Sequence, residues 1–148
     1  MFDHDHERGE EDVKLIANSR HFKNMTLDTA GKYELSADLT GDHKLDNSYT
    51  SINFSGVLDG NGHEIEIERT LSTVTASYNG GLFNELSSKG EIKNLVVSGY
   101  FNVPGADAGK TIGGIVGRVT TSTAQISNVI NNLSVNASNA NYVGGIVG

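Results

Sequence analysis

The chain has 148 residues, a formal net charge of −7 and no cysteine, which allows one domain of ordinary size and excludes disulfides and thiolate metal sites. Gly (18), Asn (15), Ser (14) and Thr (11) make up 58 residues against one Pro and no Trp, a balance that disfavours a helix bundle and suits short strands joined by tight turns. Six carboxylates and one arginine in residues 1–12 hold −5 of the charge, and no acid follows Asp107, so nothing supports a basic nucleic-acid footprint or an acidic body.

In chain order, residues 1–12 read as a disordered acidic tail. His4 and His6 alternate there with Asp3, Asp5 and Glu7, a weak set of metal donors that a solvated tail explains equally well. No apolar run is long enough to cross a membrane and the start is acidic where a secretory leader is basic, so the chain is expected either to work in the cytosol or to have a leader that has been removed or lies outside this sequence. Residues 13–16 read as a strand. Ser19 is expected to N-cap a short helix through Asn24, with Phe22 and Met25 inward, covering an open end of the core. Residues 33–39 alternate at period two, and 41–49 form an acidic polar loop. Asp38, Asp42 and Asp46 offer oxygens there but lack the spacing, glycine and glutamate of an EF-hand, so no metal is assigned. Residues 52–58 lead into Asp59-Gly60-Asn61-Gly62-His63, and 64–68 alternate strictly, Ile65 and Ile67 inward and Glu64, Glu66 and Glu68 outward.

From residue 80 the sequence repeats. Gly80-Gly81-Leu82-Phe83-Asn84, Gly113-Gly114-Ile115-Val116-Gly117 and Gly144-Gly145-Ile146-Val147-Gly148 are 33 and 31 residues apart, and Ile92-Lys93-Asn94-Leu95 is echoed by Ile126-Ser127-Asn128-Val129. Units of this length, each with apolar runs too short to fold alone, are expected to stack. The expected fold is all-β, a right-handed parallel β-helix over 13–148 with a short N-terminal capping helix: cap and first coils over 13–79, repeats over 80–148. In such a stack Asn94 and Asn128 would bond along their own ladder, while Asp59, Gly60, Asn61 and Gly62 form a turn. Residues 142–148 carry no polar cap, so the stack reads as truncated or open at its C-terminus. Tyr142, Val143, Ile146 and Val147 then become an expected assembly edge.

The order of these phrases, Tyr33-x-Leu35 and then Phe54-Ser55-Gly56-x-Leu58-Asp59-Gly60-Asn61-Gly62-His63, followed by Gly-Leu-Phe, Ile-x-Asn-Leu and repeated Gly-Gly-Ile-Val-Gly, resembles bacterial surface proteins carrying GLUG repeats. The resemblance covers residues 13–148. It implies a right-handed parallel β-helix from a secreted or cell-envelope protein, of the type found in adhesin-like chains and beside the catalytic domain of immunoglobulin-A-cleaving metallopeptidases. It supplies no catalytic residue. Asn84 departs from the pattern, standing where the repeat has glycine.

The most reactive-looking motif is Asp59 to His63. Asp59 and His63 are an acid and a base that a polysaccharide lyase or hydrolase could use, but a glycine-rich turn explains every residue type in the motif. His63-Glu64 is not a zinc-protease motif, because Ile67 stands where the second histidine belongs. Tyr49, Tyr78, Tyr100 and Tyr142 are the aromatics available for sugar stacking, and loops 41–49, 70–79 and 102–111, with Asp42 and Asp46, are the candidate binding segments. The expected function is a non-catalytic structural or adhesive module, extracellular or on the cell surface. It presents loops to a host or environmental glycan or protein, with no cofactor, no nucleic acid and no membrane insertion by this segment. The alternatives are a self-assembling subunit that builds an oligomer or fibre through its C-terminal coil, and a polysaccharide lyase or hydrolase using Asp59.

Overall fold

The structure, a computed structural model, describes residues 3–5, 13–49, 51–71, 79–103, 111–136, 142–144 and 146–147, with the backbone alone for 3–5, 79, 80, 111 and 142–144. The N-terminal half contains β1 (Asp3–Asp5), β2 (Val13–Ile16), α1 (Ser19–Lys23), β3 (Lys32–Leu35), β4 (Asn53–Phe54), β5 (Val57–Asp59) and β6 (Glu64–Thr70). The repeat region contains β7 (Asn79–Gly80), β8 (Phe83–Leu86), β9 (Glu91–Asn102), β10 (Thr111–Gly113), β11 (Val116–Val119), β12 (Gln125–Asn136) and β13 (Tyr142–Gly144).

These strands form three sheets. The largest has seven strands in the order β1-β2-β3-β5-β9-β12, with β6 also beside β9; the others run β13-β10-β7 and β11-β8-β4. Every described strand pair is parallel except β1 with β2. Like phrases lie side by side: Ile92 pairs with Ile126, Phe83 with Val116 and Thr111 with Tyr142. The expected right-handed parallel β-helix is corrected by this arrangement. The molecule is mostly sheet, but its strands make separate parallel sheets, and no closed solenoid is shown. A constant repeat length dictates which strands are neighbours within a sheet, because like pairs with like; it does not dictate how the sheets meet.

α1 differs from expectation at its start. Its N-cap is Asn18, not Ser19: Asn18 Oδ1 accepts the His21 N–H at 2.9 Å, the N3 amide that a cap side chain reaches. The helix ends at Lys23 and passes into a 3₁₀ turn, Asn24–Leu27. Phe22 and Met25 are buried. Phe22 lies 6.0 Å from Phe83, which stacks on Phe54 at 4.7 Å, so the cap, β4 and β8 share one aromatic core.

β9 joins the two halves of the large sheet. Its first residues pair with β5, its last seven with β6, and nearly its whole length with β12. Between the two registers the turn 60–63 lies against Asn94 and Leu95, with the Gly60 N–H donating to the Lys93 carbonyl and the Gly62 N–H to the Asn94 carbonyl.

Candidate functional site on the large sheet

Strand alternation and register together build the outward face. Glu34, Asp59, Lys93 and Ser127 fall on one row across β3, β5, β9 and β12. A groove of about 230 Å³ crosses the face between Val13, Lys32, Glu34, Val57, Asp59 and Lys93. It brings two carboxylates and two ammonium groups together on a rigid surface, which suits hydrogen bonding and ion pairing with a polar ligand.

Asp59 is tied into the backbone of this surface. Its Oδ1 accepts the Asn61 N–H at 2.8 Å and Asn94 Nδ2 at 3.2 Å, and Asn128 Nδ2 donates to Asn94 Oδ1 at 2.8 Å. Asn61, Asn94 and Asn128 all have left-handed backbone, with φ of 52°, 55° and 51°, a conformation that asparagine tolerates better than most residues. Gly60 makes the close approach possible, since a Cβ there would lie 2.4 Å from the Asn94 carbonyl oxygen.

His63 is bonded to a different carboxylate. Its Nδ1 is 3.0 Å from Asp38 Oδ1, which also accepts the Glu64 N–H at 2.9 Å. The Glu64 amide and then His63 hold the Asp38 carboxyl below the usual carboxylate range. Asp38 begins a strap along β6. Leu39 bridges Ile65, Leu45 bridges Ile67, the Gly41 N–H donates to Glu66 Oε1 at 2.9 Å, and Lys44 pairs with Glu68 at 2.8 Å. Glu66 and Glu68 are therefore the strap's side-chain anchors on β6, while the Glu64 carboxylate accepts from the Ser98 hydroxyl on β9.

The candidate binding residues of the 41–49 loop separate accordingly. Asp42 is exposed in the 3₁₀ turn Gly41–His43. Asp46 accepts both the amide and the hydroxyl of Ser48, which lower its pKa. Among the described residues no group of three or more His, Asp or Glu is placed to hold a metal ion. The expectation that Tyr49 presents a stacking surface is corrected: it is 2% exposed, its ring 5.5 Å from Phe22 and its hydroxyl donating to the Leu82 carbonyl. Tyr100 is 39% exposed, in register with Glu68. Tyr78 and most of the 70–79 and 102–111 loops lie outside the described residues. Tyr142 and Val143 are backbone positions in β13, while Ile146 is half-buried and Val147 bridges Val116.

Sequence reading missed Arg69. It is 5% exposed, with its guanidinium 5.2 Å from the rings of both Tyr49 and Phe101, and Nη1 donates to Ser51 Oγ at 2.9 Å. Two cation–π contacts and a hydroxyl acceptor offset part of its desolvation, while its Nε is buried without a hydrogen-bond partner. The signal was parity, because Arg69 continues the inward series Ile65, Ile67. Among the described residues no helix is long and apolar enough to cross a membrane. No protein-family model matches the sequence, and it matches no curated protein and no solved structure.

Proposed function

We propose that the chain is a non-catalytic structural and adhesive module, a scaffold of parallel strands that presents rows of polar side chains to a glycan or protein partner outside the cell or at its surface. The observation that carries this reading is the placement of the motif richest in chemistry. Asp59 is bonded within its turn and to Asn94, and His63 is bonded to Asp38, so both are committed to holding backbone segments together. The resemblance to GLUG-repeat surface proteins supports the same reading.

A panel of immobilised glycans and extracellular-matrix proteins tests it, with bound protein and released soluble products read in the same wells. Saturable binding that Lys93→Glu or Tyr100→Ala weakens, with no product released, is the expected outcome. Release of sugar fragments that disappears in a folded Asp59→Asn variant would overturn it in favour of the lyase or hydrolase.

A further inference from the structure

The outward side of β9 beyond Asn94 carries a patch unlike the groove beside Asp59 and Lys93. Tyr100 lies in the middle of a row that runs from Glu68 on β6 to Ser134 on β12, and Asn132 and Asn136 flank Ser134 on the same face. Tyr100 is 39% exposed. Asn132, Ser134 and Asn136 are exposed beside it and make no side-chain hydrogen bond among the described residues.

The charges at the border of this patch are already committed. Glu68 is paired with Lys44, Glu66 accepts the Gly41 N–H, and the Glu64 carboxylate accepts from the Ser98 hydroxyl. Three carboxylates against one ammonium leave that border negative, so an acidic ligand is repelled. What remains for a ligand is an aromatic ring, two carboxamides and a hydroxyl.

Size decides between kinds of partner. The patch covers three strands about 4.8 Å apart over seven residues of about 3.3 Å, or about 200 Å². A stable protein interface takes roughly 800 Å² from each partner. A saccharide of a few rings fits the smaller area. Its rings have C–H faces that pack on an aromatic side chain and hydroxyl edges that donate and accept, as carboxamides do. These side chains stand on the face of the sheet, perpendicular to its hydrogen-bonding edges, so the patch is the same whatever pairs with β12.

We propose that this face binds an uncharged glycan, with one sugar ring stacked on Tyr100 and its hydroxyls bonded to Asn132, Ser134 and Asn136. Such a site rests on the scaffold reading, in which the chain presents polar side chains to a partner, and narrows it to one surface and one class of ligand.

NMR titration of the isotope-labelled chain tests it, with neutral hexasaccharides of glucose, mannose, galactose and xylose, and with oligogalacturonate and heparin fragments as acidic probes. At least one neutral sugar is expected to shift the Tyr100 ring signals and the amides of 98–102 and 132–136 saturably, and the acidic probes are expected to leave them in place. Tyr100→Ala should weaken that binding about tenfold or more, with circular dichroism unchanged, whereas Tyr100→Phe, which keeps the ring, should hold it within about threefold. No shift with any neutral sugar at millimolar concentration would overturn the proposal, as would equal binding of the acidic probes. Binding lost in Lys93→Glu and kept in Tyr100→Ala would also contradict it, while leaving the scaffold reading in place. A matrix protein held through Tyr100, with no sugar competing, would put a protein on this face instead. Release of sugar fragments would overturn the scaffold reading on which the site rests.

Discussion

Four non-glycine residues of the described chain have positive φ, and three of them are asparagines of the large sheet and its turn, Asn61, Asn94 and Asn128. Left-handed backbone costs most L-residues about 1–2 kcal/mol, and asparagine lowers that cost while its side chain joins one strand to the next. Replacing Asn94 by Ala restores the strain and removes both ladder bonds, so urea unfolding is expected to show a loss of about 2–3 kcal/mol. Asn94→Gly removes the same bonds without the strain and is expected to lose less; equal losses would mean that the left-handed angle is not what selects asparagine. Two glycines make a second contrast. At Gly99 φ is +98° and a Cβ would lie 1.9 Å from the Ile67 carbonyl oxygen, whereas at Gly62 φ is +79° with open space around it. Gly62→Ala is therefore expected to cost about 1 kcal/mol from strain alone. Gly99→Ala must also move β6 and should unfold the protein at markedly lower urea.

At the scale of elements, the strap on β6 combines burial with polar anchoring. Leu39 and Leu45 are fully buried between charged and polar neighbours, so Leu45→Ala is expected to cost about 2–5 kcal/mol in chemical unfolding. The strap also has an acid limit. Asp38 is depressed in the folded state, so its contribution is complete above the unfolded carboxylate value of about 3.9 and is lost as pH falls through the lower folded value. Melting temperature should fall below about pH 4 as Asp38 is protonated, with a shallower fall in Asp38→Asn; an identical fall would remove Asp38 from the anchor. Much of this element was legible. Alternation in 64–68 gives the inward and outward faces of β6, and the repeated phrases give the β8–β11 and β9–β12 pairs. The strap was not, because its acidic, polar composition reads as a solvated loop, while Leu45 and Tyr49 reach the core through contacts with β6 and α1 that no local pattern encodes. For the same reason the row of Glu34, Asp59 and Lys93 emerges only once register is known, and Arg69 reads as surface although its parity is inward.

For the whole molecule, β9 is the spine. It pairs with β5 and β6 on one side and β12 on the other, so it ties the N-terminal half to the repeats. Strands inside a sheet resist bending because they are hydrogen-bonded to neighbours on both sides, as β9 is, and a scaffold that displays a surface would require this. The repeats account for the pairing within each sheet, and the acidic N-terminal segment leaves the rest of the chain nearly neutral, at −2 of the total −7. Native-state amide exchange reads each strand's pairing separately, and so whether β9 holds the two halves together. The amides of β9 are expected to be the slowest to exchange, opening only through global unfolding along both its β5-paired and β6-paired segments. Exchange of β9 as fast as that of α1 or the 41–49 strap would contradict it.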